Sequence, residues 1–282
     1  MAQNKTFAPK LNRVVVAVKQ VPDTTQVQID PKTGTLIREG VPFIVNPFDT
    51  QAVEEALRLK DQYGCKVTAI SMGPPNAVDT LRKCLALGVD DAVLLSDRQF
   101  AGADTLATSF VLSEAIKRIE KEHGRVDVVI CGKQTIDGDT AQVGPGVATR
   151  LKLSQLTLVD RILEIDLEKR TIKVRRKLEG RKEVVQANLP ALLTVVREIN
   201  QPRYPTVPKR LEAEVTQVPL WDNSVLHLPL NQIGLKGSPT NVKKIFAPER
   251  AKGEVLGDGE KDPQGAVQLL IDKLIEKDLL PF

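Results

Sequence analysis

Histidine and cysteine are scarce in this chain: two of the first, His123 and His227, and three of the second, Cys65, Cys84 and Cys131. The cysteines stand far apart with no CxxC pair, and neither histidine lies beside a second strong ligand, so zinc and iron–sulfur sites are not expected. An odd, scattered set disfavours a disulfide framework and points to a reducing, cytoplasmic compartment. No Ser–His pair has local support, and no catalytic constellation of side chains emerges. Aromatic residues make up 4%, too few for base-stacking platforms, and 40 basic against 36 acidic residues is too even a balance for a nucleic-acid partner. No apolar run approaches the roughly 18 residues of a membrane helix, so direct membrane insertion is not expected. Residues 1–12, MAQNKTFAPKLN, lack the apolar centre of a secretory signal and read as a disordered extension.

What remains is an ordinary globular composition, 41% hydrophobic and 27% charged over 282 residues. The run RVVVAVKQV (13–21) is rich in β-branched residues and predicts a buried parallel strand. Asn46–Pro47 then opens a helix, with Asn46 as cap, Pro47 in its first turn and Asp49 near free amides; Gly64 ends it. KVTAISM (66–72), DAVLLS (91–96) and VDVVICG (126–132) predict further strands. Between them lie a helix carrying Val78, Leu81 and Leu85 and another from about Asp104 to His123. Alternation of this kind implies βαβ units with right-handed crossovers. The fold class expected is α/β: a doubly wound, mostly parallel sheet of the adenine-nucleotide-binding, Rossmann-like kind. It should carry a surface hairpin at 161–178 and an extended C-terminal arm. LPALLTVV (189–196) predicts a strand returning to the core. The α/β domain spans 13–197; residues 198–282 form a proline-rich arm and a final amphipathic helix, 266–280.

Doubly wound sheets bind ligands at the carboxyl ends of their strands. Three loops fall there: KQVPD (19–23), SMGPP (71–75) and CGKQTIDGDTAQVGPG (131–146). The last joins glycines that let backbone approach closely to a helix start whose amides attract anions, a cradle suited to a nucleotide phosphate. It is neither a GxxxxGK[ST] loop nor a GxGxxG fingerprint. A tight turn with no ligand explains the same glycines. NPFD is equally a helix cap alone, Lys19 either touches a phosphate or is solvated, and Cys131 reads as packed.

The motifs AVKQVPD, NPFDTQAVEEALRLK, LRKCLALGVDDAVLL, DTLATSFVLSEAI, CGKQTIDGDTAQVGP, LPALLTVVREINQPRYPTVP and FAPER occur in this order. Together they resemble the beta subunit of electron-transferring flavoprotein, from about Arg13 to Phe282. The resemblance implies a heterodimer with an alpha subunit that holds an electron-carrying FAD, while the beta subunit holds a second adenine nucleotide. In housekeeping members that nucleotide is structural AMP; in electron-bifurcating members it is a second FAD that takes hydride from NADH. The loop from Gly138 to Pro145 resembles the bifurcating group. Small residues at 138, 141 and 144 leave room for a flavin, and Thr140 and Gln142 offer hydrogen bonds to phosphate or ribityl oxygens.

Carried over position by position, the resemblance places the nucleotide against Ala17, Asn46, Phe48, Asp49, Met72, Asp104 and Thr105. From the loop it adds Gly132, Lys133, Gln134, Thr135, Asp137, Gly138, Asp139, Thr140, Ala141, Gln142 and Val143. It also implies that the segment with Arg203, Tyr204 and Val207 docks onto a partner dehydrogenase or a quinone- or ferredoxin-linked redox protein, Val207 projecting from a loop stiffened by Pro205 and Pro208. A stand-alone ATP-binding regulatory module is the alternative from another class, against which the long arm argues.

Overall fold

The structure, a computed structural model, describes residues 10–23, 28–29, 36–37, 42–242 and 253–280. The chain divides into two compact units, Met1–Lys243 and Lys244–Phe282.

In the first unit, strand β1 (Arg13–Ala17) is followed by the short strands β2 (Gln20–Pro22), β3 (Gln28–Ile29), β4 (Leu36–Ile37) and β5 (Phe43–Val45). Helix α1 (Pro47–Tyr63), β6 (Lys66–Met72), α2 (Val78–Leu87), β7 (Asp91–Leu95), α3 (Thr105–His123) and β8 (Val126–Gly132) then alternate as expected. Gly64 and Gly88 end α1 and α2 in the left-handed region, which costs a residue without a side chain nothing. Helix α4 (Val143–Leu151) leads into β9 (Ser154–Asp166), β10 (Thr171–Leu178), β11 (Arg181–Asn188) and β12 (Ala191–Val195). Beyond them lie α5 (Val207–Val215), β13 (Leu220–Trp221) and the single turn α6 (Asn223–Leu226).

One sheet runs in the order β11-β10-β9-β12-β8-β1-β6-β7-β13. Only β9–β10 and β10–β11 pair antiparallel, so the sheet is mostly parallel. Its centre is apolar on both sides. Val14, Val16, Val67 and Ile130 pack against α1 and α2, while Val15, Ile70, Val129 and Leu192 pack against α3 and α4. Helices on both faces make it doubly wound.

Several boundaries differ from the sequence expectation. The strand predicted over 13–21 stops at Ala17, because the amide of Lys19 turns away to the Asp49 carboxylate, and 20–22 pair with 43–45 instead. The hairpin at 161–178 is part of a longer antiparallel meander that includes β11, and it extends the main sheet rather than lying on its surface. Residues 1–9 of the N-terminal extension lie outside the described residues. Residues 11 and 12, assigned to that disordered extension, are ordered: Leu11 is buried and the Asn12 amide donates to Asp127 at 2.5 Å. The arm is not extended throughout, since 207–215 is helical: Thr206 caps it by accepting from Lys209, and Pro208 sits in the first turn, where its missing N–H costs nothing. FAPER falls at 246–250, outside the described residues.

In the second unit, helix α7 (Pro263–Glu276) replaces the predicted 266–280; Asp262 caps it by accepting from Gly265 at 2.9 Å. None of its residues is buried, and Val267, Leu269, Leu270, Ile271 and Ile275 are exposed. No helix among the described residues is long and apolar enough to cross a membrane.

Candidate functional site

The strand order sets the location of the site. From β1 the chain winds outward through β6 and β7 by way of α1 and α2, then returns through α3 to β8 on the other side of β1. The crossovers therefore diverge between β1 and β8, and a crevice opens at the carboxyl ends of those strands. Ala17 ends β1, Gly132 ends β8 and Met72 ends β6, so these three expected residues meet there.

The first turn of α1 forms one wall. Asn46 was expected to cap this helix, but its side chain makes no cap bond. Instead its Nδ2 donates to Gln134 O at 2.9 Å and its Oδ1 accepts from Ile136 N at 3.2 Å, tying the helix to the loop after β8. Asp49 accepts from Lys19 N at 2.8 Å and from Gly132 N at 3.1 Å, amides of two other segments rather than of its own helix. Both side chains are enclosed: Asn46 is 0% exposed and Asp49 4%. Burial pushes the Asp49 carboxyl up to about 7, against the opposing pull of Asn46, the two amides and Lys19. Phe48 lies under Lys133, whose ammonium is 5.2 Å from the ring centre.

Across the mouth, Lys19 Nζ meets Asp137 Oδ2 at 2.6 Å. Burial works against the charge on Asp137, yet hydrogen bonds from Lys19 and Thr135 outweigh it and hold this carboxyl below its ordinary range. Lys19 thus joins the candidate site through contacts with Asp137 and Asp49, although only its place in KQVPD marks it in the sequence. Gln134 donates to Asp139 at 2.6 Å. Residues 137–142 are exposed, and Asp139 and Ala141 have left-handed φ values of 51° and 55°.

The opposite wall is built by α3 and α4. No side chain caps α4 at Gln142, whose backbone is right-handed after the left-handed Ala141. Such a left–right pair turns successive amides into one concavity, continuous here with the free start of a helix. Thr105 and Gln142 side chains bond at 2.9 Å, joining α3 to this loop. Asp104 was expected beside the ligand, but its carboxylate is occupied. It accepts from Leu106 and Ala107 at the start of α3 and from Thr240 N and Oγ1. Burial disfavours its charge and these donors more than offset that, so its carboxyl is also lowered. Thr240 carries no sequence signal for this role.

The three small residues expected to make room do different things. Gly138 has open space, a Cβ there meeting only Thr135 Oγ1 at 3.7 Å, and Ala141 is exposed. Gly144 is buried, and a Cβ there would sit 2.8 Å from both Cys131 Sγ and Thr194 Cγ2. Its smallness lets α4 lie on the sheet and is not space for a ligand. Cys131 is packed as expected: burial, then the Asp49 charge, push its thiol up to about 12.

The residues expected to contact a partner lie elsewhere, on the arm. Arg203 is engaged inside the chain: its Nε reaches Glu54 Oε2 at 2.8 Å and its Nη2 reaches Asp61 at 2.7 Å. Tyr204 is 93% exposed, and Val207, Leu211 and Val215, one turn apart on α5, are 70%, 66% and 82% exposed. Val207 starts a helix and does not project from a loop.

Fold and crevice together define an open α/β protein of the kind that binds ligands where its crossovers diverge. The family described as electron transfer flavoprotein domain matches residues 33–223. The chain is 48% identical over 265 residues to electron transfer flavoprotein subunit beta of Clostridium acetobutylicum, covering 94% of this chain and 98% of that one. It is 47% identical over 263 residues to the protein FixA of Azotobacter vinelandii, at 92% and 93% coverage. To the caffeyl-CoA reductase-Etf complex subunit CarD of Acetobacterium woodii it is 45% identical over 271 residues, at 95% and 100%. The chain belongs to the electron transfer flavoprotein family.

Proposed function

We propose that this chain, as a beta subunit, holds a second FAD in the crevice between β1 and β8, within a heterodimer whose alpha subunit carries the electron-transferring FAD. The observation that carries this reading is the uncapped start of α4, preceded by the left–right pair Ala141–Gln142 and flanked by the open space at Gly138. A phosphate fits there because a left–right pair turns successive amides toward one concavity, and the two carboxylates of the loop are engaged elsewhere, Asp137 by Lys19 and Asp139 by Gln134. Thr140 and Gln142 are exposed; Gln142 accepts from Thr105 through Oε1, which leaves its Nε2 amide as a donor for ribityl or phosphate oxygens. Lys19 and Lys133 set positive charge at the mouth, beside Asp137 and Phe48. FAD bound there supplies acceptance of a hydride from NADH and one-electron delivery to two acceptors.

The arm supports the rest of the reading. Tyr204, Val207, Leu211 and Val215 form an exposed apolar run on a well-anchored segment, suited to docking on a partner dehydrogenase or another redox protein. Helix α7, with no buried residue, lies against the alpha subunit in this proposal.

The test is nucleotide stoichiometry in the heterodimer co-purified with its alpha subunit. Two FAD support the proposal; one FAD and one AMP replace it with a structural nucleotide. NADH should bleach the complex but not the isolated chain. Rapid bleaching of a complex that keeps only the alpha-subunit flavin would place hydride entry elsewhere.

A further inference from the structure

We propose that Asp49 is a positioning residue of the crevice: with Asn46 it clamps the ends of β1 and β8 so that the loop from 132 to 143 presents its amides in one geometry to an anionic nucleotide. The ligand in this statement rests on the nucleotide reading above, whereas the clamp rests on geometry. Four hydrogen bonds run from two side chains of one helical turn to Lys19 N, Gly132 N, Gln134 O and Ile136 N. Every one crosses to another segment, and together they fix both lips of the crevice. Both side chains are fully enclosed, so neither presents a face to a ligand. The close fit at Gly132 shows how tightly the turn is seated. A Cβ there would stand 2.5 Å from Asp49 Oδ1 and 2.6 Å from Phe48 Cβ, so no larger residue fits without moving α1.

Both Asp49 oxygens face N–H donors, which suits the anion. Protonation gives one oxygen a hydrogen where its partner also offers one, and that half of the clamp loosens. The charged and titratable groups around Asp49 are few. Lys19 reaches it from the exit of β1, Cys131 from β8 and Cys84 from α2, and Asp137 is linked to it only through Lys19. Both thiols are raised by burial first and by Asp49 second, so they stay neutral near pH 7. With the Asp49 carboxyl pushed up to about 7, its own ionisation is the change expected between pH 6 and 8. The clamp tightens as pH rises through that window, and nucleotide affinity rises with it.

The experiment uses the heterodimer stripped of the beta-site nucleotide, with AMP and FAD as separate probes in titration calorimetry and amide hydrogen exchange on the nucleotide-free protein. Asp49→Asn keeps the shape but turns an amide N–H toward one donor. Its peptides covering 17–20 and 130–137 should exchange faster. Its Kd for whichever nucleotide binds should rise on the order of tenfold, the loss expected for one charge-assisted bond. Wild-type Kd should fall several-fold from pH 6 to 8, and the variant should show no such slope. Wild-type exchange and affinity in Asp49→Asn would overturn the clamp. If that variant fails to fold, the wild-type pH series decides: a Kd and a corrected exchange rate that stay flat from pH 6 to 8 overturn it. If neither probe binds wild type, the nucleotide reading fails separately, and exchange in the two proteins alone decides whether Asp49 holds the lips.

Discussion

Gly144→Ala separates two accounts of the loop that ends at α4. If this glycine leaves room for a ligand, the nucleotide-free protein should not notice a methyl group. The structure gives the opposite expectation. The added Cβ would lie 2.8 Å from Cys131 Sγ and from Thr194 Cγ2, and 3.5 Å from Leu192 Cδ2. Carbon atoms pack at about 3.5–4.0 Å, so two of these contacts are shorter than packing allows by most of an ångström. Thr194 cannot turn aside freely, because it is buried and its Oγ1 accepts from Leu158 N at 3.1 Å. Forcing in one methylene typically costs about 1–3 kcal/mol, and alanine in place of a helical glycine returns at most about 1 kcal/mol. With two contacts this short the cost falls in the upper part of that range, so the expected net loss is about 1–2 kcal/mol, or a fall in Tm of about 2–8 °C at roughly 2–4 °C per kcal/mol for a chain of this size class.

The assay is a thermal melt of the stripped heterodimer, followed by nucleotide titration. Adding Thr194→Ser removes the Cγ2 contact and should restore part of the lost Tm. A Gly144→Ala protein that melts like wild type yet has lost its nucleotide affinity would refute the packing account and return Gly144 to the ligand.

Gly138→Val should behave the other way. With only Thr135 Oγ1 near the new Cβ, at 3.7 Å, the melt should match wild type while occupancy of the beta-subunit nucleotide falls and the alpha-subunit flavin remains; unchanged stoichiometry would remove residue 138 from the site. Val207→Asp places a carboxylate at the start of α5, where the helix dipole favours it by about 0.3–1 kcal/mol. The heterodimer and its flavins should survive, while electron delivery to the partner drops because an unpaired carboxylate is costly to bury; unchanged kinetics would take Val207 out of the interface.

The alternation of β-branched runs with glycine-ended helices made the core of the sheet legible, because each signal is local. Two elements were missed although signals for them exist. RKEVVQAN alternates as an edge strand should, and Glu179–Gly180 before it is a turn, with Gly180 at a φ of 72°. PTVPKRLEAEV contains a cap, a first-turn proline and a helical run, but the proline density of the surrounding arm hid them. For the candidate site, sequence reasoning supplies a list of positions without the contacts between them. Nothing near Asn46 in the sequence indicates that its partners are Gln134 and Ile136, and nothing near Gly144 indicates Thr194. Those contacts depend on which strands become neighbours, a property of topology that no short window contains.

Topology also explains why one helix serves two surfaces. The first turn of α1 seats the crevice through Asn46 and Asp49, and its flank roots the arm. Asn200 Nδ2 donates to Gln51 O at 3.0 Å and to Glu55 Oε2 at 2.9 Å, and the Arg203 guanidinium forks onto Glu54 at 2.8 and 3.2 Å before reaching Asp61. Glu54 and Glu55 are buried, and carboxylates are tolerated inside only where donors meet them. Burial alone disfavours the Glu54 charge, but the bonds from Arg203 outweigh it and hold the carboxyl low, while the same pairing raises Arg203. The fork is bidentate, so it fixes direction as well as distance. Tyr204 follows at once in the chain and Val207 three residues later, at the start of α5, which leaves the exposed run little freedom to lose on binding. An apolar surface held in place in this way binds a partner at a smaller entropic cost than a free strap of the same composition.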